Sequence, residues 1–312
     1  MKITIIGTGG VGGYFGGRLA KAGSQVTFVA RGNHLKAISN NGLKVISVDG
    51  DFIVSPANVT SDLSAVKNAD LVIIGTKAWQ VKDIAKDIAS LLNEKTMILP
   101  LQNGVLAVEE LAEFIPSTQI MGGLCKIFSM IKEPGVILHQ GGPASITFGE
   151  LNHQKTERAE RLQTLFDNAG IKNYRTEYIE VELWKKFLMI SSSALLAVTR
   201  TNYGELRTIP ETRKLLEQLY TEIYSVGIAA QIKLPGDIIE KTMKAVDNFP
   251  AESNSSLTRD VLEGKPSEIE YQNGTVVKLG EKLGVPTPVN QFVYYSILPM
   301  EMKARNEKML DK

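Results

Sequence analysis

Apolar positions along the chain follow two different periods. From Met1 to about residue 177, short runs rich in valine and isoleucine alternate with segments of helical spacing. From Tyr178 onward the 3.6-residue period persists to the end with few strand signals. Lys2-Ile3-Thr4-Ile5-Ile6 is too short for a buried helix and reads as a buried parallel strand. A helix from Val11 to about Ala22 follows, ended by Gly23, and Gln25 to Ala30 supplies the next strand. Gly32 to Ile38 predicts a short helix closed by Asn40-Asn41-Gly42. Leu43 to Val48 and Phe52 to Val54, around Asp49-Gly50-Asp51, predict a hairpin on the edge of a sheet. Leu71 to Gly75 and Thr96 to Pro100 are further strands, with a helix over Val81 to Leu92 between them. Three β segments, 120–131, 135–139 and 145–148, are broken by Glu133-Pro134-Gly135 and Gly141-Gly142-Pro143, and an amphipathic helix over 156–169 ends at Gly170. The second region predicts helices near 179–198, 211–230, 236–247, 254–263, 267–283 and 289–305, punctuated by Gly264, Gly284, Pro286 and Pro288. The expected fold class is α/β: an N-terminal Rossmann-type dinucleotide-binding domain over residues 1–177, then an all-α domain over residues 178–312.

Gly7-Thr8-Gly9-Gly10-Val11-Gly12 lies between the first strand and the first helix. In that context the first glycine permits the tight turn, the second lets backbone approach a pyrophosphate, and the third lets helix pack on strand. The N–H groups that open the helix form the anion site. At the end of the second strand, where a dinucleotide fold reads the adenosine ribose, stands Arg31. An acidic residue there accepts from a free 2′-hydroxyl, whereas arginine pairs with a 2′-phosphate, which favours NADP(H). The competing accounts are a glycine turn that serves packing alone and a solvated arginine. Lys77, in Thr76-Lys77-Ala78-Trp79-Gln80 at the end of another strand, is a second candidate phosphate cation or a solvated lysine. Asn103, in the exit loop Leu101-Gln102-Asn103-Gly104, is placed for the nicotinamide end of the cofactor, with a plain turn asparagine as the alternative.

Composition narrows the class of partner. The 312 residues exceed one ordinary core, and 43% hydrophobic with 22% charged residues is a globular composition. Thirty-five basic against 34 acidic residues create no field that recruits nucleic acid or an anionic membrane, so the expected partner is a small molecule. One cysteine, Cys125, permits neither an internal disulfide nor a cysteine zinc cluster, and no metal site is expected. A fold strand beginning near residue 3 argues against a signal peptide, and Phe187 to Val198 falls short of the ~20 residues that span a bilayer. The expected location is the cytoplasm. A homodimer through the helical domain is compatible with the pattern.

A nicotinamide cofactor carries the hydride, so the protein has to supply the proton that neutralises the developing alkoxide. In Glu182-Leu183-Trp184-Lys185-Lys186-Phe187, Leu183, Phe187 and Ile190 mark a buried stripe that Lys186 borders. Desolvation brings a half-buried lysine toward useful acidity, although an i, i+4 pair with Glu182 and a snorkelling stem account for the pattern as well. Ser256, in the predicted helix 254–263, and Glu268, in the first turn of the next, present a hydroxyl and a carboxylate to a small polar substrate. A capping serine and a glutamate favoured by the helix dipole are the alternative. His139 reads as a structural strand histidine rather than a catalytic acid.

Over essentially its whole length the chain resembles the ketopantoate reductase (2-dehydropantoate 2-reductase) family. The resemblance is carried by the glycine hexapeptide, Arg31, the segment 76–80, Gln102-Asn103-Gly104, Leu183-Trp184-Lys185-Lys186-Phe187, and Ser255-Ser256-Leu257-Thr258-Arg259-Asp260 through Ser267-Glu268-Ile269-Glu270-Tyr271. It implies hydride transfer from NADPH to the keto carbon of 2-dehydropantoate, giving pantoate for the route to pantothenate and coenzyme A. It further implies Lys186 as general acid, Glu268 and Ser256 on the substrate, and Asn103 where cofactor and substrate meet. The glycine loop, Gly7 to Gly12, would hold the cofactor with Gln80, and Arg31 and Lys77 its phosphate. One departure stands out: where the family presents asparagines one and two helical turns past the lysine, this chain has Ile190 and Ala194. Ser193, seven residues after Lys186, returns to the same face of a continuous helix and is the candidate substitute. A reductase of another small ketone or imine, and a non-catalytic NADP(H)-sensing protein, are the alternatives.

Overall fold

The computed structural model describes residues 1–306, which divide into two compact units: Met1–Gln102 with Leu106–Glu180, and Asn103–Val105 with the chain from Val181. In the first unit the elements run β1 (Lys2–Ile6), α1 (Gly10–Lys21), β2 (Gln25–Val29), α2 (Gly32–Asn41), β3 (Leu43–Ser47), β4 (Phe52–Val54), β5 (Asn58–Thr60), β6 (Leu71–Ile74), α3 (Val81–Ile88), β7 (Met97–Pro100), α4 (Ala107–Ala112), β8 (Met121–Glu133), β9 (Val136–Glu150), α5 (Glu157–Asn168) and β10 (Lys172–Arg175).

Five strands form a parallel sheet in the order β5-β2-β1-β6-β7. β1 lies at its centre, in register with β2 from Lys2 to Ile6 and with β6 from Ile3 to Ile6. The continuous apolar run of β1 follows from burial on both faces. Ile3 and Ile5 join a core with Phe15 and Leu19 of α1, while Ile6 joins another with Val81, Ile84 and Ile88 of α3. This is the expected Rossmann-type arrangement.

A second, mixed sheet departs from the expected picture. The hairpin β3–β4 does lie on a sheet edge, but of this second sheet, where β3 runs parallel to β9. Gly141-Gly142-Pro143 does not end a strand. β9 passes through it and changes neighbour there, pairing with β3 from Val136 to His139 and with β10 from Ser145 to Phe148. The opposite strand β8 shifts register at the same place, between Lys126 and Ser129. Proline has no N–H to give a ladder, so it is tolerated where one partnership ends and the next has not begun.

The helices of the second unit are α6 (Ile179–Ile190, whose first two residues belong to the first unit), α7 (Ser192–Thr199), α8 (Tyr203–Thr208), α9 (Pro210–Ala229), α10 (Ile238–Asp247), α11 (Ser256–Leu262), α12 (Thr275–Leu283) and α13 (Pro288–Ala304). Leu216, Leu219, Tyr220 and Ile223 of α9 are fully buried at its centre. Two expected helices are interrupted. The segment 179–198 breaks at Ser191, and 267–283 opens with a five-residue π turn, Glu270–Gly274, before α12. No helix among the described residues is long and apolar enough to cross a membrane.

Glu150, at the end of β9, is a buried acid held by its neighbours. Arg158 grips both carboxylate oxygens, at 2.7 and 2.5 Å, and the Thr156 hydroxyl donates to one of them. Burial pushes this carboxyl up, but the Arg158 and Thr156 bonds outweigh it and hold it below the usual value. A lowered carboxylate contributes stability above its ordinary value of 4.5 and loses it as pH falls through the folded value. Glu150→Gln is therefore expected to lower unfolding free energy by about 1–2 kcal/mol at neutral pH, with the gap to the parent closing below pH 4.5, as read by urea denaturation across pH.

Candidate active site

In the first unit the candidate cofactor cradle is backbone. Gly7 sits at φ +90°, a conformation that a side chain strains, and turns the chain from β1 into α1. A Cβ on Gly12 would stand 2.1 Å from the Gly7 carbonyl oxygen, so only glycine lets α1 approach this closely. The first intrahelical bond of α1 runs from Gly13 to Gly9, at 2.7 Å, and the N–H groups of Gly10, Val11 and Gly12 precede that ladder. A Cβ on Gly9 would meet nothing within 4 Å, so the loop borders open space there. The buried Thr76 hydroxyl, whose side chain lies against Gly7, has no hydrogen-bond partner among the described residues. Unsatisfied donors, an open side and an orphaned hydroxyl fit the phosphates of a dinucleotide.

Arg31 is the N-cap residue of α2, exposed at the end of β2, and forms no ion pair among the described residues. Lys77 is half-buried with its ammonium 5.7 Å from the centre of the Trp79 ring, and Gln80 precedes α3. Thr8 is buried, and its hydroxyl donates to the Val29 carbonyl at 3.0 Å. The structure adds a residue the sequence reading passed over. His34, three positions after Arg31, bonds the Thr8 carbonyl at 2.8 Å. His139 is buried, 2.8 Å from the Ser47 hydroxyl and packed at a tilt against the Tyr14 ring, centroids 4.7 Å apart. Cys125 is buried, and its thiol donates to the Leu101 carbonyl at 3.5 Å.

In the second unit, residues far apart in sequence meet. The Asn103 amide donates to the Glu268 carboxylate at 2.9 Å across 165 positions. Glu268 is 5% exposed. It is positioned by its neighbour: the Ser267 N–H and hydroxyl both donate to Glu301, at 2.6–3.0 Å, and Arg305 bonds Glu301 at 2.6 Å and the Ser267 carbonyl at 3.1 Å. Nothing in the local sequence announces this clamp, because Glu301 lies 34 residues beyond Ser267. Gly104 has no room for a side chain, since a Cβ would stand 2.8 Å from the Tyr271 carbonyl. Ser256 is the exposed first residue of α11, which Ser255 caps through the Thr258 N–H.

Lys186 is half-buried on α6, and Lys185 pairs with Glu182 at 2.7 Å. The buried residues of α6 include Val181, Trp184, Phe187 and Leu188, so of the expected stripe Phe187 is buried while Leu183 and Ile190 are only half-buried. At 100° per residue, Leu183, Lys186 and Ile190 share a second, half-buried face on the opposite side. The break at Ser191 also cancels the argument that helical spacing carries Ser193 onto the face of Lys186. Ser193 is 2% exposed in α7, where its carbonyl accepts from Thr258. Ala194 is fully buried beside it.

Glu301→Ala strips a buried N–H and a guanidinium of their acceptor. It is expected to cost about 3 kcal/mol of unfolding free energy, and an unchanged denaturation midpoint would show that the clamp carries no weight.

Residues 3–153 match the family described as ketopantoate reductase PanE/ApbA, and residues 178–301 match its C-terminal counterpart. A 2-dehydropantoate 2-reductase of Nostoc sp. is 30% identical over 314 residues, covering 99% of this chain and 98% of that protein. The crystal structure of a PanE/ApbA family ketopantoate reductase from Ralstonia eutropha superposes with a TM-score of 0.90 at 29% identity, covering 98% of this chain and all of that one. A D-mandelate dehydrogenase solved with NADH and anilino(oxo)acetate shares the fold, with a TM-score of 0.89 at 24% identity over 99% of this chain and all of that one. Matched end to end in sequence and in fold, the chain is a member of the ketopantoate reductase family, an oxidoreductase.

Proposed function

We propose that this protein is an NADPH-dependent reductase of 2-oxo acids, with 2-dehydropantoate, reduced to pantoate, as its leading substrate. The observation that carries the reading is the bond between Asn103 and Glu268, two residues of the family resemblance brought together in the second unit at 2.9 Å. When bound, the cofactor supplies the hydride. The N–H groups of Gly10, Val11 and Gly12 hold its pyrophosphate at the head of α1, and Arg31 and Lys77, with Gln80 nearby in sequence, hold the 2′-phosphate end. Lys186 donates the proton to the ketone oxygen as the alkoxide develops, a role its three ammonium donors suit. Glu268, fixed by Asn103, accepts from a substrate hydroxyl, and the exposed Ser256 offers it a second hydroxyl contact.

A second reading assigns the same chemistry to another small 2-oxo acid or ketone. Ile190 favours it, because it shares the face of Lys186 and can form no side-chain hydrogen bond where the family resemblance places an amide. Steady-state kinetics on a panel of 2-oxo acids, with NADPH and then NADH, separates the two: the first reading expects the highest kcat/KM for ketopantoate with NADPH. Binding of NADPH with no turnover of any carbonyl tested would overturn both and leave a nucleotide sensor.

Lys186→Ala is expected to lower kcat about 10²- to 10⁴-fold while the cofactor Kd stays unchanged. Arg31→Ala is expected to weaken NADPH binding about 10-fold or more and to leave NADH binding as it was, since only the 2′-phosphate loses a charge-assisted partner. Fluorescence titration of each nucleotide reads both constants.

A further inference from the structure

His34 ties the glycine loop to a second part of the first unit. Its Nε2 lies 2.8 Å from the Thr8 carbonyl, and its Nδ1 lies 3.0 Å from the backbone nitrogen of Gly135, in the turn between β8 and β9. A carbonyl only accepts and a backbone N–H only donates, so Nε2 carries the proton and Nδ1 is bare. Only the neutral ring satisfies both partners. A proton on Nδ1 would point at the Gly135 N–H, and that turn is itself tied down, because the Gly135 carbonyl accepts from Lys44 on β3 at 3.0 Å.

The Thr8 carbonyl and the Gly9 N–H belong to one planar trans peptide and point in opposite directions. Pinning the carbonyl therefore aims the N–H of Gly9, the residue beside open space in the cradle. The charged residues on the elements around His34 are Arg31 and Lys36 on α2, Lys44 on β3, and Lys132 and Glu133 at the end of β8, all exposed. None of them governs the ring. Burial lowers its proton affinity below the ordinary histidine value, and the Thr8 carbonyl opposes that in part.

We propose that His34 is a positioning residue for the dinucleotide: its neutral ring holds the Thr8–Gly9 peptide in the orientation that binds phosphate, and protonation releases the Gly135 contact and weakens cofactor binding. The inference rests on the nicotinamide reading above. The two have different signatures, since one concerns whether nucleotide binds and the other how binding depends on pH.

The test compares the parent protein with His34→Gln and His34→Leu, reading the Kd of NADPH and of NADH by nucleotide fluorescence from about pH 8 to about pH 5.5. The glutamine amide presents an N–H and a carbonyl in place of the two ring nitrogens and does not titrate. Near pH 8, His34→Gln is expected to bind like the parent and His34→Leu about five- to tenfold more weakly. As pH falls below 6.5 the parent's affinity declines progressively toward that of His34→Leu while His34→Gln keeps its affinity. The 2′-phosphate of NADPH titrates near pH 6, so the NADH arm isolates the ring. Parallel pH profiles for the parent and His34→Gln, or parent-like binding by His34→Leu, overturn the proposal. If a variant fails to fold, the His34 imidazole is titrated by NMR in the parent, free and with NADH. Reciprocal linkage requires the nucleotide to lower its pKa, and an unchanged pKa overturns the proposal. A parent protein that binds neither nucleotide at any pH removes the nicotinamide reading itself, and this inference with it.

Discussion

The first unit depends on backbone meeting backbone at the start of α1. Gly12 passes so close to the Gly7 carbonyl that a single added carbon would stand 2.1 Å from it, and one turn later a Cβ on Gly16 would stand 2.7 Å from the Ile5 side chain and 2.8 Å from the Phe28 ring. A side chain at either place would lift α1 off β1 and open a void beneath Phe15 and Leu19, which are fully buried. The geometry that seals the core also leaves the first N–H groups of α1 clear of side chains. Tight packing and an anion cradle are two consequences of one absence.

The second unit meets the opposite problem, that of holding polar groups inside an apolar bundle. Its solution is to break helices and use what the breaks expose. Ser191 separates α6 from α7, and the Asn273 amide, in the π turn before α12, donates to the Ser191 carbonyl at 3.2 Å and to Asn290 at 3.0 Å. Asn290 in turn bonds Glu222, whose carboxylate accepts the first free N–H groups of α13. A π turn costs helical regularity and is tolerated where its neighbours supply the missing partners. Glu268 stands just ahead of that turn, and the Glu301 clamp on Ser267 fixes where it points. The carboxylate proposed to meet substrate is thus held by Asn103, and the segment that carries it by the Glu301 clamp.

Long apolar runs announced their elements because burial on both faces leaves no polar alternation: β1, β6 and β7 fall within a residue of their expected places. Short polar elements did not. β5 (Asn-Val-Thr) and β10 (Lys-Asn-Tyr-Arg) owe their extended form to the strands beside them, and α8 is six residues long with a capping box as its main local signal. The glycines of 141–142 read as a strand end because local chemistry resembles a turn, whereas the ladder on either side carries β9 through.

The sequence by itself determined the order of the long apolar strands and the glycine cradle with Arg31 about 20 residues beyond it, since these are written in local pattern and spacing, and it carried the motifs whose resemblance pointed to the reductase family. Tertiary structure decided which polar groups meet. Asn103 finds Glu268, His34 finds Thr8 and Gly135, Glu301 finds Ser267, and Lys186 shares a half-buried face with Leu183 and Ile190, away from the buried residues Val181, Trp184 and Leu188. The physical reason is that a hydrogen bond depends on distances of a few tenths of an ångström between groups separated by tens of residues, and local periodicity carries no record of those distances.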